Sequence, residues 1–308
     1  MSSSMTARRP IESPARRRSS YPPVEVSLLP GGFVADGQVH REVELSPLTG
    51  VDEEFLAAAG PATPAAVLTT ALLAGCVRRL GTIGKPGVEV IRDLLVGDRE
   101  FLLLKLRQLT LGDRIALQTA CPRVECGALM DLVFSLRDFP VEERPASAEP
   151  YRLTAPDGVE ILFRLPTGRD QEAFAQRADI GPGAADHLLA RCVLRVGDQQ
   201  NPTPDDIAAL PEAARALIEE RIERLAPEVT AEVETVCPEC QRPFAQALEL
   251  PRLFLAELQA GGGELEREIH FLALHYHWPE REILRMTRRK RRRYVALLSE
   301  ELEIGSGA

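Results

Sequence analysis

Two stretches of sequence decide the organisation of this chain: LLAGCVRRLG at Leu72–Gly81 and LLARCVLRVG at Leu188–Gly197. They lie 116 residues apart and are identical at seven of ten positions. Cys121 and Cys237 are separated by the same 116 residues. Self-similarity at a fixed period indicates repeated copies of one structural unit. The sequence therefore predicts an internal duplication.

The match continues on both sides of these stretches. Upstream, LTGVD at Leu48–Asp52 resembles PTGRD at Pro166–Asp170. Downstream, QTACP at 118–122 resembles ETVCP at 234–238. Each copy predicts a short strand, a Thr-Gly-x-Asp turn whose Asp can cap a helix, two helices, and a β-hairpin that carries a cysteine pair.

These patterns predict an α+β fold in which two copies of the unit form a pseudo-dimer within one chain. We place the first unit at residues 25–140 and the second at residues 150–250. A helical, basic extension follows at 251–308. Residues 1–24 are rich in Ser, Pro and Arg without periodicity, which predicts a disordered basic tail.

Apolar residues at helical spacing predict the first helix after the turn in each unit. In the first unit they are Leu68, Leu72, Cys76 and Leu80. In the second unit they are Leu188, Leu189, Cys192, Val193 and Val196. Because Cys76 and Cys192 belong to these apolar stripes, we predict that they are small buried core residues and not ligands.

The other four cysteines occur as two close pairs, CPRVEC at 121–126 and CPEC at 237–240. Each pair is predicted at a hairpin tip, where two thiolates form half of a tetrahedral zinc site. We predict one shared structural zinc ion, with these ligands: Cys121, Cys126, Cys237 and Cys240. Reduced cysteines without metal are the first alternative. Redox chemistry is the second, and the CxxxxC spacing and the lack of a βαβ context speak against it.

Six consecutive basic residues begin at Arg288, at the start of the second of two short predicted helices that together resemble a helix-turn-helix. The basic side chains cover every face of nearly two turns of this helix. Three interpretations remain: a solvated or acid-partner-docking helix, nucleic-acid contact, or pairing with the acidic body of the chain. The candidate partner-binding residues are Trp278, Arg288, Arg289, Lys290, Arg291, Arg292 and Arg293.

Composition excludes several classes of protein. The 308 residues carry a net charge of −9, yet residues 281–293 carry +7 and residues 1–18 carry +4, so the other 277 residues carry −20. No apolar run approaches the roughly 18 residues of a membrane span, and six cysteines are too few for a secreted disulfide scaffold. No catalytic motif is present, so we expect a cytoplasmic, non-enzymatic protein.

The runs SPLTGVDEEFL (46–56), LLVGDREFLLLKLRQLTLGDRIALQTACP (94–122), CPECQRPF (237–244) and HYHWPEREILRMTRRKRRRYVALL (275–298) together carry a resemblance. They resemble the T4-type baseplate hub assembly chaperone family of contractile phage tails and extracellular contractile injection systems.

The resemblance implies non-enzymatic help in building the baseplate hub, with hub, spike or tube-initiator proteins as partners. The four paired cysteines fall where zinc knuckles are expected, although the first knuckle has the wider CxxxxC spacing. The site of action would be the cytoplasm of a bacterial or phage-infected cell, with retention in the assembled particle left open. The competing hypothesis is a zinc-containing regulator that binds nucleic acid through its basic C-terminal helices.

Overall fold

The computed structural model of the protein describes residues 24–60, 62–177 and 183–306. Within these ranges the chain forms twelve α-helices and fourteen β-strands, which confirms the α+β class. The strands build several small antiparallel sheets and no single large one. Of the predicted N-terminal tail, residues 1–23 lie outside the described part of the chain.

A four-stranded sheet opens the fold. Strands β1 (Glu25–Ala35) and β2 (Gln38–Leu45) form an antiparallel hairpin. Asp36 and Gly37 connect them with φ of 50° and 72°, the left-handed backbone that a tight two-residue hairpin turn requires. Strands β3 (Val77–Leu80) and β4 (Ile83–Gly84) complete the sheet in the order β1-β2-β3-β4.

Two helices connect β2 to β3, namely α1 (Gly50–Ala58) and α2 (Ala65–Cys76). Helix α1 begins at a capping box: Asp52 accepts hydrogen bonds from the backbone N–H and the hydroxyl of Thr49 at 2.8 and 2.7 Å. A second helical pair and a hairpin follow. These elements are α3 (Val88–Arg92), α4 (Val96–Leu111), β5 (Arg114–Ala120), β6 (Leu129–Ser135) and β7 (Val141–Glu142).

The next part of the chain has elements in a similar order. They are β8 (Tyr151–Thr154), β9 (Glu160–Phe163), α5 (Gly168–Ala175), α6 (Ala184–Cys192), β10 (Val193–Val196), β11 (Gln199–Gln200), α7 (Pro204–Ala208), α8 (Glu212–Leu225), β12 (Glu228–Val229), β13 (Glu232–Val236) and β14 (Pro243–Ala247). Strands β8 to β11 form a four-stranded sheet in sequence order. Helix α5 also begins at a capping box, formed by Thr167 and Asp170.

The prediction that the first helix runs through Leu80 is wrong. Helix α2 ends at Cys76, and Leu80 belongs to β3, where it pairs with Val43. The same holds for Val193 and Val196, which lie in β10. Each strand continues directly from its helix, and its first residue, Val77 or Val193, is buried like the last residue of the helix. The spacing of apolar residues therefore does not mark the end of the helix. The chain changes from helix to strand because a β-branched valine pairs there with the neighbouring strand.

Four helices close the chain: α9 (Leu250–Ala260), α10 (Gly262–Tyr276), α11 (Glu280–Leu284) and α12 (Arg288–Ser306). None of the helices in the described ranges is long and apolar enough to span a bilayer.

Buried apolar residues form separate clusters. The main cluster joins the first sheet, α2 and α4 to α9, which contributes Phe254 and Leu258. A second cluster, with Phe163 and Ile207, lies within the second four-stranded sheet and its helices. Cys76 and Cys192 are 1% and 0% exposed, which confirms that they are core residues. Burial raises the pKa of the Cys192 thiol to about 11.

Candidate metal centre

Two hairpins carry one cysteine pair each at their tips. In the β5–β6 hairpin, the N–H of Cys121 donates to the carbonyl of Ala128 at 2.9 Å. In the β13–β14 hairpin, the N–H of Cys237 donates to the carbonyl of Arg242 at 3.1 Å. Each first cysteine therefore lies where strand pairing ends and the turn begins.

The two turns close in the same way although their cysteine spacings differ. The residue after the second cysteine of each pair has a left-handed backbone: Gly127 at φ 56° and Gln241 at φ 58°. Gln241 also donates its backbone N–H to the carbonyl of Cys237 at 2.9 Å and its side-chain amide to the carbonyl of Pro238 at 2.6 Å. The wider CxxxxC spacing thus keeps the same turn ending.

The four sulfur atoms of the two tips converge. All lie within 4.8 Å of one another, with Cys121 Sγ 3.9 Å from Cys240 Sγ and Cys126 Sγ 3.7 Å from Cys237 Sγ. A tetrahedral site with Zn–S bonds of about 2.3 Å has sulfur–sulfur edges of about 3.8 Å. A disulfide needs about 2.05 Å. The spacing therefore fits four thiolates around one ion and does not fit two disulfides.

Backbone N–H groups point at the sulfur atoms. Those of Cys240 and Glu239 lower the pKa of Cys237 to about 7, against the effect of burial. The N–H of Ala128 lowers the pKa of Cys126, but burial and the three neighbouring thiols together raise it to about 11. Four thiolates at this distance repel one another, so their joint ionisation requires a cation between them.

The pairing of the two tips is supported by contacts outside the cysteines. The thiols belong to a separate apolar cluster with Met130, Leu132 and Phe244. The hydroxyl of Thr119 donates to the side chain of Gln246 at 2.7 Å, and Arg123 donates to the carbonyl of Pro243 at 3.2 Å. The hairpins are thus held face to face, as a shared four-sulfur site requires.

Such a donor set has a structural role rather than a catalytic one. Four sulfurs complete the tetrahedral coordination of zinc and leave no position for water or substrate. Soft thiolate ligands favour zinc over magnesium or calcium, which prefer oxygen. The residues present therefore fit a structural zinc ion.

The basic run lies on α12, and the structure buries two of its members. Arg291 is 0% exposed and donates to Glu53 at 2.8 Å and to Glu268 at 2.9 Å. Arg288 donates to the other oxygen of Glu53 at 3.0 Å. Arg292 is exposed and pairs with Glu264 and Glu268. Pairing with the acidic body, one of the three interpretations, therefore describes these three arginines.

The other candidate partner-binding residues lie further out. Arg289 and Arg293 are exposed, and Lys290 is half-buried. Trp278 is half-buried; its ring stacks on Tyr276 at a centroid distance of 4.5 Å and meets Tyr294 edge-on at 5.0 Å.

Sequence reasoning missed Glu53, the buried carboxylate that holds two arginines of α12. The position of Glu53 in the sequence could have indicated its role. Glu53 directly follows the Thr-Gly-x-Asp turn, in the first helical turn of α1, where side chains face whatever packs on the helix start.

The fold and this centre define a mixed α+β protein in which two hairpins share a four-cysteine site of structural type. The family model described as T4 bacteriophage base plate protein matches residues 34–253, about seven-tenths of the chain. The chain belongs to this family. No curated protein and no solved structure matches it.

Proposed function

We propose that the protein is a non-enzymatic assembly or structural component of the baseplate hub of a contractile phage tail or contractile injection system. The observation that carries this proposal is the family match over residues 34–253. That range includes most of the first unit, all of the second, and both cysteine pairs. The partners we propose are hub, spike or tube-initiator proteins, met in the cytoplasm where particles are assembled.

We further propose that the four-cysteine site binds one structural zinc ion. Two sulfur–sulfur distances of 3.7 and 3.9 Å, all four sulfurs within 4.8 Å of one another, and the N–H groups that point at the sulfurs support this assignment. A zinc ion would link the β5–β6 hairpin to the β13–β14 hairpin. It would thereby hold the two halves of the body in one arrangement for a binding partner.

The proposal includes duplication of one unit, at residues 25–140 and 150–250, with the extension at 251–308. Three observations support it. Both four-stranded sheets have their strands in chain order, both follow the second strand with a Thr-Asp capping box, and both units end in a hairpin with a cysteine pair.

Deletion of the gene tests the assembly role. We expect sheath and tube proteins at normal levels but no assembled particles in electron micrographs, with particles restored by the wild-type gene. A Glu219→Ala chain, changed at an exposed position of α8 outside the metal centre, should restore them equally well. Normal particles in the deletion strain would contradict the proposal.

The second candidate function is a nucleic-acid-binding regulator, which the exposed Arg289 and Arg293 of α12 favour. Burial of Arg288 and Arg291 leaves fewer cations for phosphates. A gel-shift titration at physiological salt separates the two candidates. Binding that falls steeply with salt and is lost in an Arg289→Ala, Arg293→Ala chain would favour the regulator.

A further inference from the structure

One pair of helices recurs three times in the described part of the chain. Each pair has a five-residue helix, a three-residue turn and a longer helix: α3–α4, α7–α8 and α11–α12. The fourth residue of each short helix is a fully buried isoleucine: Ile91, Ile207 and Ile283, each 0% exposed. The fourth residue of each long helix is an arginine: Arg99, Arg215 and Arg291.

The α3–α4 pair receives the start of helix α5. Leu95 forms an antiparallel bridge with Thr167, and the N–H of Gly168 donates to the carbonyl of Leu94 at 3.0 Å. Arg99 lies against Gly168 so closely that a Cβ there would be 2.2 Å from its Nη1. The Nε–H of Arg99 donates to Gln171 at 3.0 Å.

The α11–α12 pair receives the start of helix α1 with the same backbone contacts. Thr287 bridges Thr49, and the N–H of Gly50 donates to the carbonyl of Met286 at 3.1 Å. Arg291 again lies against the glycine and donates to Glu53, three residues after Gly50, as Gln171 is three residues after Gly168. The donor is Nη2–H in Arg291, whose Nε–H bonds to Glu268, and Nε–H in Arg99. Each helix pair is therefore a seat for a helix that begins with Thr-Gly.

The α7–α8 pair has the same parts, but within the described residues no helix that begins with Thr-Gly docks on it. Helices α1 and α5 occupy the other two seats. Arg215 is held from its own side as Arg99 is: its Nη1 donates to Asp186 at 2.9 Å, where Arg99 Nη1 donates to Thr70 at 2.9 Å. The Nε–H of Arg215, however, is buried without a hydrogen-bond partner in the described structure.

Exposure agrees with an empty seat. Leu95 and Thr287, the bridge positions of the two filled seats, are 9% and 6% exposed, whereas the corresponding Pro211 is exposed. Arg99 and Arg291 are 1% and 0% exposed, whereas the side chain of Arg215 is 32% exposed. Pro211 does not block docking, because the filled α3–α4 seat uses the N–H of residue 96 and the carbonyl of residue 94.

We propose that the α7–α8 seat binds the N-terminal turn of a helix from another protein. The occupant begins with Ser or Thr and Gly, and carries an amide or carboxylate oxygen three residues after the glycine, which accepts the free N–H of Arg215. Helix α1 of a second copy is a poor occupant, since it is already covered and its Glu53 would meet Glu212, where the α11–α12 seat has Arg288.

The test uses the full chain and a fluorescent, helix-stapled peptide of residues 165–177, the α5 sequence, titrated by anisotropy. The α3–α4 seat of the chain competes poorly for it, because its own α5 is tethered at an effective concentration of about millimolar. We expect binding to weaken at least tenfold in a Pro211→Arg chain, in an Arg215→Ala chain, and with a Gly168→Val peptide. Glu219→Ala, on the exposed surface of α8, is the matched control and should bind as wild type.

Pro211 is exposed, so its replacement leaves the fold intact, and unchanged circular dichroism verifies this for each variant. Equal binding of the peptide by wild type and Pro211→Arg overturns the proposal, and so does no binding at all. Self-association of the chain that Pro211→Arg abolishes also overturns it, because the occupant would then be a second copy. None of these outcomes bears on the baseplate assignment, which the gene deletion tests separately.

Discussion

In the proposed zinc site the four cysteines at 121, 126, 237 and 240 would act as a set, because each thiolate would depend on the same cation. Replacing Cys240 with Ser removes one sulfur ligand and leaves three thiols that repel one another when ionised. We expect the purified variant to lose nearly all of its zinc and to unfold at a lower temperature. Zinc per chain by elemental analysis and the thermal midpoint measure the two effects.

Cys192→Ser is the matched control, since it makes the same chemical change at a fully buried position, the last residue of α6, outside the four-cysteine site. It should lower stability through a buried unpaired hydroxyl but keep one zinc ion per chain. Wild-type protein that contains no zinc after purification, or a Cys240→Ser variant that retains zinc, would contradict the proposal that these four cysteines bind the metal.

Glu53 is the carboxylate on which α12 depends. It is 4% exposed and accepts hydrogen bonds from Arg288 and Arg291, the latter fully buried. Removing one partner of a buried ion pair costs about 3–5 kcal/mol. We expect Glu53→Gln to lower the free energy of unfolding by about that amount in urea titrations.

The control is Glu264→Gln. Glu264 pairs with Arg292 at the surface, where both side chains are about half exposed. An exposed pair is worth about 0–1 kcal/mol. Equal losses from the two variants would show that the Glu53 cluster does not hold α12 in place.

Helix starts, not helix faces, make several of the long-range connections in this fold. Gly168 begins α5 against the guanidinium of Arg99, and an added Cβ would lie 2.2 Å from Nη1. Because the arginine is buried and hydrogen-bonded, it cannot move aside cheaply. We expect Gly168→Ala to cost about 1–3 kcal/mol of stability by overpacking, measured by denaturant unfolding.

Gly60→Ala serves as its control, because nothing lies within 4 Å of a Cβ added there and its backbone is not left-handed. It should leave stability unchanged or raise it slightly. A Gly168→Ala chain as stable as wild type would mean that the start of α5 is not tightly seated.

Local elements with their own signals could be predicted from the sequence. Helix α8, Glu212–Leu225, is an example, because it starts after Pro211 and carries a continuous apolar stripe. The turn at Asp36–Gly37 is another, since an Asp-Gly pair favours the left-handed backbone that it adopts. The end of α2 was not, since Val77 is apolar and buried both as a helix residue and as a strand residue.

Contacts between distant elements were beyond reach of the sequence for a physical reason. A run of six basic residues is expected to be exposed to solvent, because burying a cation is costly unless a carboxylate pairs with it. Glu53 lies 235 residues before Arg288, so only the fold brings them together. The cysteine site was the exception, because its ligands come in pairs whose spacing is itself the signal.

The described residues form three apolar clusters, and the cysteine cluster is the smallest of them. The four strands that meet there bury few side chains: β13 and β14 alternate between exposed and half-buried residues. Their stability must therefore come largely from what joins the hairpin tips. The main cluster, with α2, α4 and α9, contains none of the four paired cysteines and borders their cluster at Leu117 and Phe134, so most of its packing should not depend on them.

Zinc removal should therefore loosen one region and spare the rest. With a chelator present, we expect amide hydrogen exchange to accelerate by at least tenfold in β5, β6, β13 and β14. Amides of α2 and α4 should exchange as before, because their core stays packed. The Cys192→Ser chain should respond to chelation in the same region. Uniform acceleration of exchange across all helices would instead mean that the metal stabilises the whole fold. No change in the four strands would mean that the apolar contacts of Met130, Leu132 and Phe244 suffice to hold the hairpins together.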